Sequence, residues 1–386
     1  MSPPAAWRIA AIGLLGLAAA MGIGRFAFTP LLPLMQQQLG LTLTEGGWLA
    51  SANYLGYLVG ALVSAALTPA PHRAARWGLA GVAVLTVATG VTHSFSAWLL
   101  LRFGAGVASA FVLVGIAAWA LAALARLQRD ALAGVVFAGV GVGIVLAGMV
   151  GLAAGVWQVA SDRAWIALGV IAAIVCAIGW PALQPAGTTS SGPQATAAAD
   201  RGAGLQWRLI LCYGAFGYGY IVPATFLPAF ARQLIDNAAV FGWVWPAFGA
   251  AAALSTWLST RWAGQVAPHR LWAGSQLVMA VGVLAPALAP SLASTLLSAL
   301  CIGGTFMVAT MAGLQHARAS AGAAAPRLIA AMTAAFAIGQ LIGPLTIRGS
   351  ATGATIVGPS VLAALVLLAS SAALWRLPSP SAPATV

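Results

Sequence analysis

Twelve apolar stretches, separated by short clusters of turn-forming and charged residues, run along the whole chain. They fall at about 9–34, 46–68, 77–93, 97–124, 131–156, 164–183, 207–231, 239–260, 270–289, 291–315, 326–347 and 354–375. Each is close to the roughly 20 residues that a helix needs to cross the hydrocarbon of a bilayer. One polar stretch breaks the rhythm. Gln184 to Gln206 is rich in Gly, Pro, Ser, Thr and Ala, which makes it a flexible linker by composition. The pattern therefore predicts an all-α integral membrane protein of twelve transmembrane helices. Residues 1–184 form an N-terminal six-helix half, 185–206 a cytoplasmic linker, and 207–386 a C-terminal six-helix half.

The halves repeat each other. At a constant offset of 195 residues, Gly22 and Gly24 match Gly217 and Gly219, and Leu32-Pro33 matches Leu227-Pro228. Gln38-Leu39 matches Gln233-Leu234, Gly47-Trp48 matches Gly242-Trp243, and Trp77 matches Trp272. No gap is needed over about 55 residues, which marks an internal repeat. An even number of spans per half makes the repeats parallel, related by an axis along the membrane normal. Such halves rock against each other around a central site.

Composition fits a bilayer rather than water: 61% of residues are hydrophobic, 6% are charged, and mean hydropathy is +0.96. A soluble domain carries about a quarter charged residues. The net charge of +12 would suggest nucleic acid as a partner in a soluble protein, but here the arginines lie between apolar runs. With the N-terminus inside, the inner loops and tails hold Arg8, Arg73, Arg76, Arg126, Arg129, Arg201, Arg208, Arg261, Arg270, Arg318, Arg327 and Arg376. The outer loops hold Arg163, Arg232 and Arg348. That asymmetry predicts a multi-pass protein of the cell (inner) membrane with both termini cytoplasmic. Ala18-Ala19-Ala20 looks faintly like a cleavage site. The apolar run continues past it, so it reads as part of a retained first span.

Enzyme chemistry finds little to work with. Cys176, Cys212 and Cys301 each sit alone in an apolar run and read as inert thiols. His72, His93, His269 and His316 lie near loops, without metal-ligand spacing, and there is no P-loop or nucleophile elbow. No cofactor or metal is implied, and no nucleic acid. The partners expected are a small-molecule substrate, the lipid bilayer, and a co-transported proton or counter-anion.

Arg25 is the one charged residue in the run from Ile9 to Leu34. A guanidinium in hydrocarbon costs a few kcal/mol on insertion scales, so it must be received by protein partners or a watery cavity. A rise of about 1.5 Å per residue puts it roughly 24 Å into a core about 30 Å thick. Arg102 in span 4 falls roughly 7 Å below the same outer surface. Their repeat equivalents, Tyr220 and Leu297, carry no charge, so the positive charge belongs to one half. Arg102 reads either as a ligand contact or as a tie from span 4 to span 1 carbonyls. Arg25 is either a ligand contact or a partner of Glu45. Thr42-x-x-Glu45 is itself a capping box at the start of span 2, so Glu45 is either a cap or a gating and coupling residue.

On span 2, Asn53, Tyr57, Gly60 and Ser64 share one face and point inward, either to pack helices or, for Asn53 and Tyr57, to meet substrate. Gln340, in Gly339-Gln-Leu-Ile-Gly-Pro344, is a lone polar group in span 11: an interhelical hydrogen bond or a cavity contact. Tyr220, Trp245 and Phe248 form either an aromatic wall or core.

The stretch Gly22-Ile-Gly-Arg-Phe-Ala-Phe-Thr-Pro-Leu-Leu-Pro33, followed by Asn53-Tyr-Leu-Gly-Tyr57, resembles the YbfB/YjiJ-type group of the major facilitator superfamily. Arg102-Phe-Gly-Ala-Gly106 resembles that superfamily's span-4 motif, and Gly139-Val-Gly-Val-Gly143 its glycine-rich antiporter motif without the usual Gly-Pro pair. Pro71-His-Arg-Ala-Ala-Arg76 keeps two arginines of the loop between spans 2 and 3 but lacks its acid, which puts the usual cytoplasmic charge lock in question. The resemblance implies that spans 1 and 4 face a central cavity. The substrate-site candidates are then Arg25, Asn53, Tyr57, Arg102, Tyr220 and Gln340, with Glu45 for gating or coupling. The function expected is gradient-driven secondary transport of a small anionic or polar organic solute by alternating access. The alternatives are export of amphipathic compounds and a non-transporting membrane sensor with a transporter fold.

Overall fold

A bilayer core offers the backbone no hydrogen-bond partners, so each apolar stretch satisfies its own N–H and C=O groups as a helix. The computed structural model describes residues 3–185, 206–235, 237–259, 265–321, 324–346 and 357–377. Twelve helices in it are long and apolar enough to cross a membrane: α1 (Ala5–Leu39), α2 (Leu43–Leu67), α3 (Pro71–Val91), α4 (Phe95–Arg126), α5 (Ala133–Val156), α6 (Ser161–Gly179), α7 (Trp207–Leu234), α8 (Ala238–Ser259), α9 (Pro268–Leu288), α10 (Leu292–Ala321), α11 (Arg327–Leu345) and α12 (Val357–Trp375). Most of the linker, together with Asp200, Arg201, Asp236, Arg261 and Arg348, lies outside the described residues.

Helix ends follow local chemistry. The expected capping box forms: the Glu45 amide donates to Thr42 Oγ1 at 3.1 Å, and the Thr42 amide donates to Glu45 Oε2 at 2.8 Å. Gly40, at φ +68°, takes the left-handed turn between α1 and α2 that a side chain would resist. Tryptophans mark two rims. Trp7, Trp77, Trp207 and Trp375 are exposed at one end of the bundle, and Trp48, Trp157 and Trp243 at the other, the placement of interfacial aromatic belts.

The repeat governs the packing. In the first half α1 packs on α5, α2 on α4, and α3 on α4 and α6. In the second α7 packs on α11, α8 on α10, and α9 on α10 and α12, each partner shifted by six helices. Contacts between the halves obey the same symmetry, because α5 meets α8 and α2 meets α11. Segment Phe28–Leu39 of α1 meets α7, its own repeat equivalent. There Thr29 Oγ1 donates to the Ala224 carbonyl at 3.1 Å, and these two positions are related by the 195-residue offset. Equivalent residues of two repeats can touch only beside the axis that relates them, so the pseudo-two-fold axis passes here.

Sequence hydropathy suggests one continuous first span; the structure divides it. Residues Ala18–Arg25 form a π-helix, wholly buried, and a turn at Phe26–Ala27 precedes the α-helical stretch Phe28–Leu39. Phe26 N donates back five residues to Met21 O (3.0 Å). Pro30 brings no N–H for the Phe26 carbonyl four residues earlier, which Thr29 N reaches instead (3.2 Å), so the turn falls just before Pro30. Single π segments inside helices concentrate at functional sites.

Candidate functional site

The π segment brings Arg25 to the contact between the halves, where it is 3% exposed. Its Nη2 donates to Gln340 Oε1 on α11, and Gln340 Nε2 donates to Tyr220 Oη on α7. The guanidinium carbon lies 4.1 Å from the centroid of the Tyr57 ring and 5.3 Å from that of Tyr54. A desolvated cation over aromatic faces gains about 2 kcal/mol. Among the described residues no carboxylate joins it. Glu45, the acid considered as its partner, holds the Thr42 amide and hydroxyl, the latter at 2.7 Å. Arg25 Nε has no hydrogen-bond partner among the described residues.

Arg102 meets Arg25, as their similar expected depths require, but through the backbone. Its Nη1 donates to Gly24 O at 3.2 Å and its Nη2 to Arg25 O at 2.9 Å. Asn53 is fully buried, and its Nδ2 donates both to Gly24 O (3.2 Å) and to Arg102 O (2.9 Å). These two side chains hold the carbonyls at the end of the π segment and so aim Arg25. The terminal nitrogens of Arg102 and the amide nitrogen of Asn53 are committed to that backbone, while Arg102 Nε has no partner among the described residues. The inward stripe on α2 has the same character. A Cβ at Gly60 would stand 2.6 Å from Val107 O, so this face is seated on α4, and Tyr57 alone of the stripe reaches Arg25.

Rings complete the surroundings. Tyr220 is stacked between Phe306 (centroids 5.7 Å apart, planes 3° apart) and Phe336 (5.6 Å, 12°). Phe248 lies 5.6 Å from Phe306 and stacks on Trp245 at 4.7 Å. Phe26, next to Arg25, closes the circuit at 6.3 Å from Trp245 and 6.4 Å from Phe306. Trp245 Nε1 is a second buried donor without a described partner. An unsatisfied buried donor costs about 1–3 kcal/mol, and here two of them stand beside one ring cluster.

The family profile described as "Uncharacterised MFS-type transporter YbfB" matches residues 17–375. The chain belongs to this family of major facilitator superfamily transporters. Among curated proteins, the uncharacterized MFS-type transporter YceJ of Bacillus subtilis (strain 168) is 40% identical over 94 residues, which span 24% of each protein's length. Two solved structures share the fold. A D-xylose-proton symporter superposes with TM-score 0.73 at 13% identity, covering 97% of this chain and 98% of its own. A bacterial homologue of the human lysosomal transporter Spinster, in an inward-facing and unoccupied conformation, gives 0.69 at 16%, covering 97% and 96%. At such identity only the architecture is shared.

Membership of this transporter family sets the frame for the remaining contacts. Tyr54 Oη and Thr225 Oγ1 are 3.0 Å apart, Ser51 Oγ donates to Leu341 O at 3.0 Å, and Arg232 Nη1 donates to Pro33 O at 2.7 Å. With Arg25–Gln340 and Thr29–Ala224, these bonds cross between the halves, joining α1 and α2 to α7 and α11. Sequence reasoning had no signal for Ser51, Thr225, Phe306 or Phe336, because each looks like an ordinary core or helix-packing residue until its partner is known, and for Tyr54 it had only the place in the Asn53–Tyr57 motif. In the loop that lacks the superfamily's acid, Arg76 stands 5.4 Å from the centroid of the Trp180 ring.

Proposed function

We propose that this member of the family is a secondary active transporter, driven by a solute or ion gradient, for a small anionic or polar organic solute. The observation that carries the reading is a buried guanidinium whose fork is held by a neutral amide from the opposite half. A carboxylate accepts from Arg in a bidentate, charge-assisted pair, roughly twice as strong as a neutral hydrogen bond. An incoming anion therefore displaces Gln340 from Arg25. That exchange frees Gln340 and Tyr220, loosens one set of contacts between the halves, and couples binding to their relative motion. Arg25 and Tyr57 grip the solute, Gln340 and Tyr220 respond to it, and Asn53 and Arg102 hold the π segment in place.

The test is uptake into proteoliposomes under an imposed pH or anion gradient, where saturable accumulation of an organic anion is expected. Saturable binding with no net flux under any gradient would favour a sensor instead. Coupling follows from what Glu45 already does. Its carboxylate completes a helix cap, and none of the four other acids was placed at mid-membrane by the sequence. The proton therefore travels with the substrate, or another anion is exchanged for it. Glu45→Gln, which preserves the cap, should retain pH-gradient-driven accumulation in the same vesicles. Loss of accumulation with intact counterflow would make Glu45 the coupling residue.

Both termini face the cytoplasm in this reading, as the arginine asymmetry requires. In a background lacking the three native cysteines, a cysteine replacing exposed Gln128 should be labelled only from inside the cell. One replacing exposed Gln158 should be labelled from outside. The reverse pattern would invert the topology.

A further inference from the structure

We infer that the solute is an aromatic monocarboxylate, a planar ring bearing one carboxylate; this rests on the anion-transport reading above and narrows it. Three observations carry the inference. The first is charge. Of the two buried guanidiniums, Arg102 has both terminal nitrogens committed to the carbonyls of Gly24 and Arg25, so a single fork is available to a ligand. One fork matches one carboxylate, and a dicarboxylate would leave its second charge uncompensated in an apolar setting.

The second is the wall. Phe26, Trp245, Phe248, Phe306 and Tyr220 form a linked set of rings in which consecutive centroids are 4.7 to 6.4 Å apart, and Phe26 is the residue next to Arg25. Aromatic surfaces of this kind favour another flat ring, which stacks or meets them edge-on. They also favour cations, but a cation would face Arg25. The two acids whose side chains are described are occupied elsewhere, Glu45 on Thr42 and Asp162 on the Arg163 amide.

The third is the pair of orphan donors. Arg25 Nε and Trp245 Nε1 are buried, without described partners, and their side chains flank Phe26: the guanidinium carbon is 5.4 Å and the indole 6.3 Å from that ring's centroid. Arg102 Nε, Trp165 Nε1 and Trp272 Nε1 are also buried without described partners, and what singles out this pair is its place on either side of Phe26. A carboxylate meets the Arg25 donor, and the face of the ligand's ring meets the Trp245 N–H.

The experiment is calorimetric titration of the full-length protein in nanodiscs with benzoate, acetate and benzyl alcohol. Benzoate should bind about tenfold or more tightly than acetate, because only it adds a ring to the aromatic surface, and it should also exceed benzyl alcohol, which lacks the charge. Phe306→Leu, close in volume, should weaken benzoate about tenfold and leave acetate unchanged, with Phe336→Leu as the second variant should the first fail to fold. Acetate binding within twofold of benzoate would overturn the aromatic inference and leave anion recognition standing. Benzyl alcohol binding as tightly as benzoate would overturn anion recognition and, with it, the carboxylate. Absence of binding by all three probes would overturn both.

Discussion

Arg25→Lys is expected to lower kcat/KM for transport about ten- to hundred-fold, and Arg25→Ala to abolish transport, with normal amounts of both variants in the membrane. Lysine keeps the charge but presents a point rather than a planar fork, so it loses one of two charge-assisted bonds to a carboxylate. A hydrogen bond to a charged group contributes about 1.5–3 kcal/mol, which converts to that range of rates. Stability separates this role from a structural one. Removing one member of a buried ion pair costs about 3–5 kcal/mol, because the partner charge is left stranded. Arg25 has no acidic partner to strand: its described contacts are Gln340 and the faces of aromatic rings. The melting temperature of Arg25→Ala should therefore stay within a few degrees of wild type while transport is lost. Wild-type transport by Arg25→Lys would mean that charge or packing alone is needed there. A collapse in melting temperature would make Arg25 a scaffold residue.

Gly143→Ala is expected to be among the most damaging single methyl additions in the protein. A Cβ at Gly143 would stand 2.2 Å from the carbonyl oxygen of Ala18, and one at Gly22 would stand 2.2 Å from the backbone of Gly143 itself. The π segment of α1 thus rests backbone to backbone on α5. Obstacles made of main chain cannot rotate aside, so the cost should reach or exceed the upper part of the roughly 1–3 kcal/mol seen for overpacking. The displaced π segment would also carry Arg25 out of position. Gly304 supplies the control. It lies within α10 with nothing within 4 Å of where its Cβ would be, so Gly304→Ala should be neutral or stabilise the helix by about 0.5–1 kcal/mol. Melting temperatures in detergent decide the matter. Equal values for the two variants would show that the close approach of α1 to α5 is not required.

These contacts give the glycine-rich stretch of α5 a physical reading that a motif alone does not. Gly139 and Gly143 face α1, where added Cβ atoms would strike Leu14 O and Ala18 O. Gly141 faces α8 of the other half, at 2.3 Å from Ala253 N and 2.6 Å from Gly249 O. One helix therefore touches the span that carries Arg25 on one side and α8 of the other half on the other.

The sequence by itself determined the features that depend on length, charge and short spacing. Twelve spans were legible because crossing hydrocarbon demands about 20 apolar residues whatever the neighbours are. The two-fold arrangement was legible because the 195-residue offset copies glycines, prolines and tryptophans from one half into the other. The Glu45 cap was legible because it joins residues only three apart. Arg25 and Arg102 stood out because a charge in an apolar run needs a reason. Only the tertiary structure decided what those residues do to one another. Gln340 lies 315 residues from Arg25 and Tyr220 another 120 from Gln340, and their chain of bonds exists because the halves close around one axis. His269 and His316 likewise meet across α9 and α10, with ring centroids 5.4 Å apart, although nothing in their spacing links them. Thr225, Phe306 and Phe336 carry no local mark at all. An aromatic or hydroxyl residue is core or site according to what faces it, and in a bundle of helices that is fixed by packing between distant segments, not by the pattern along any one of them.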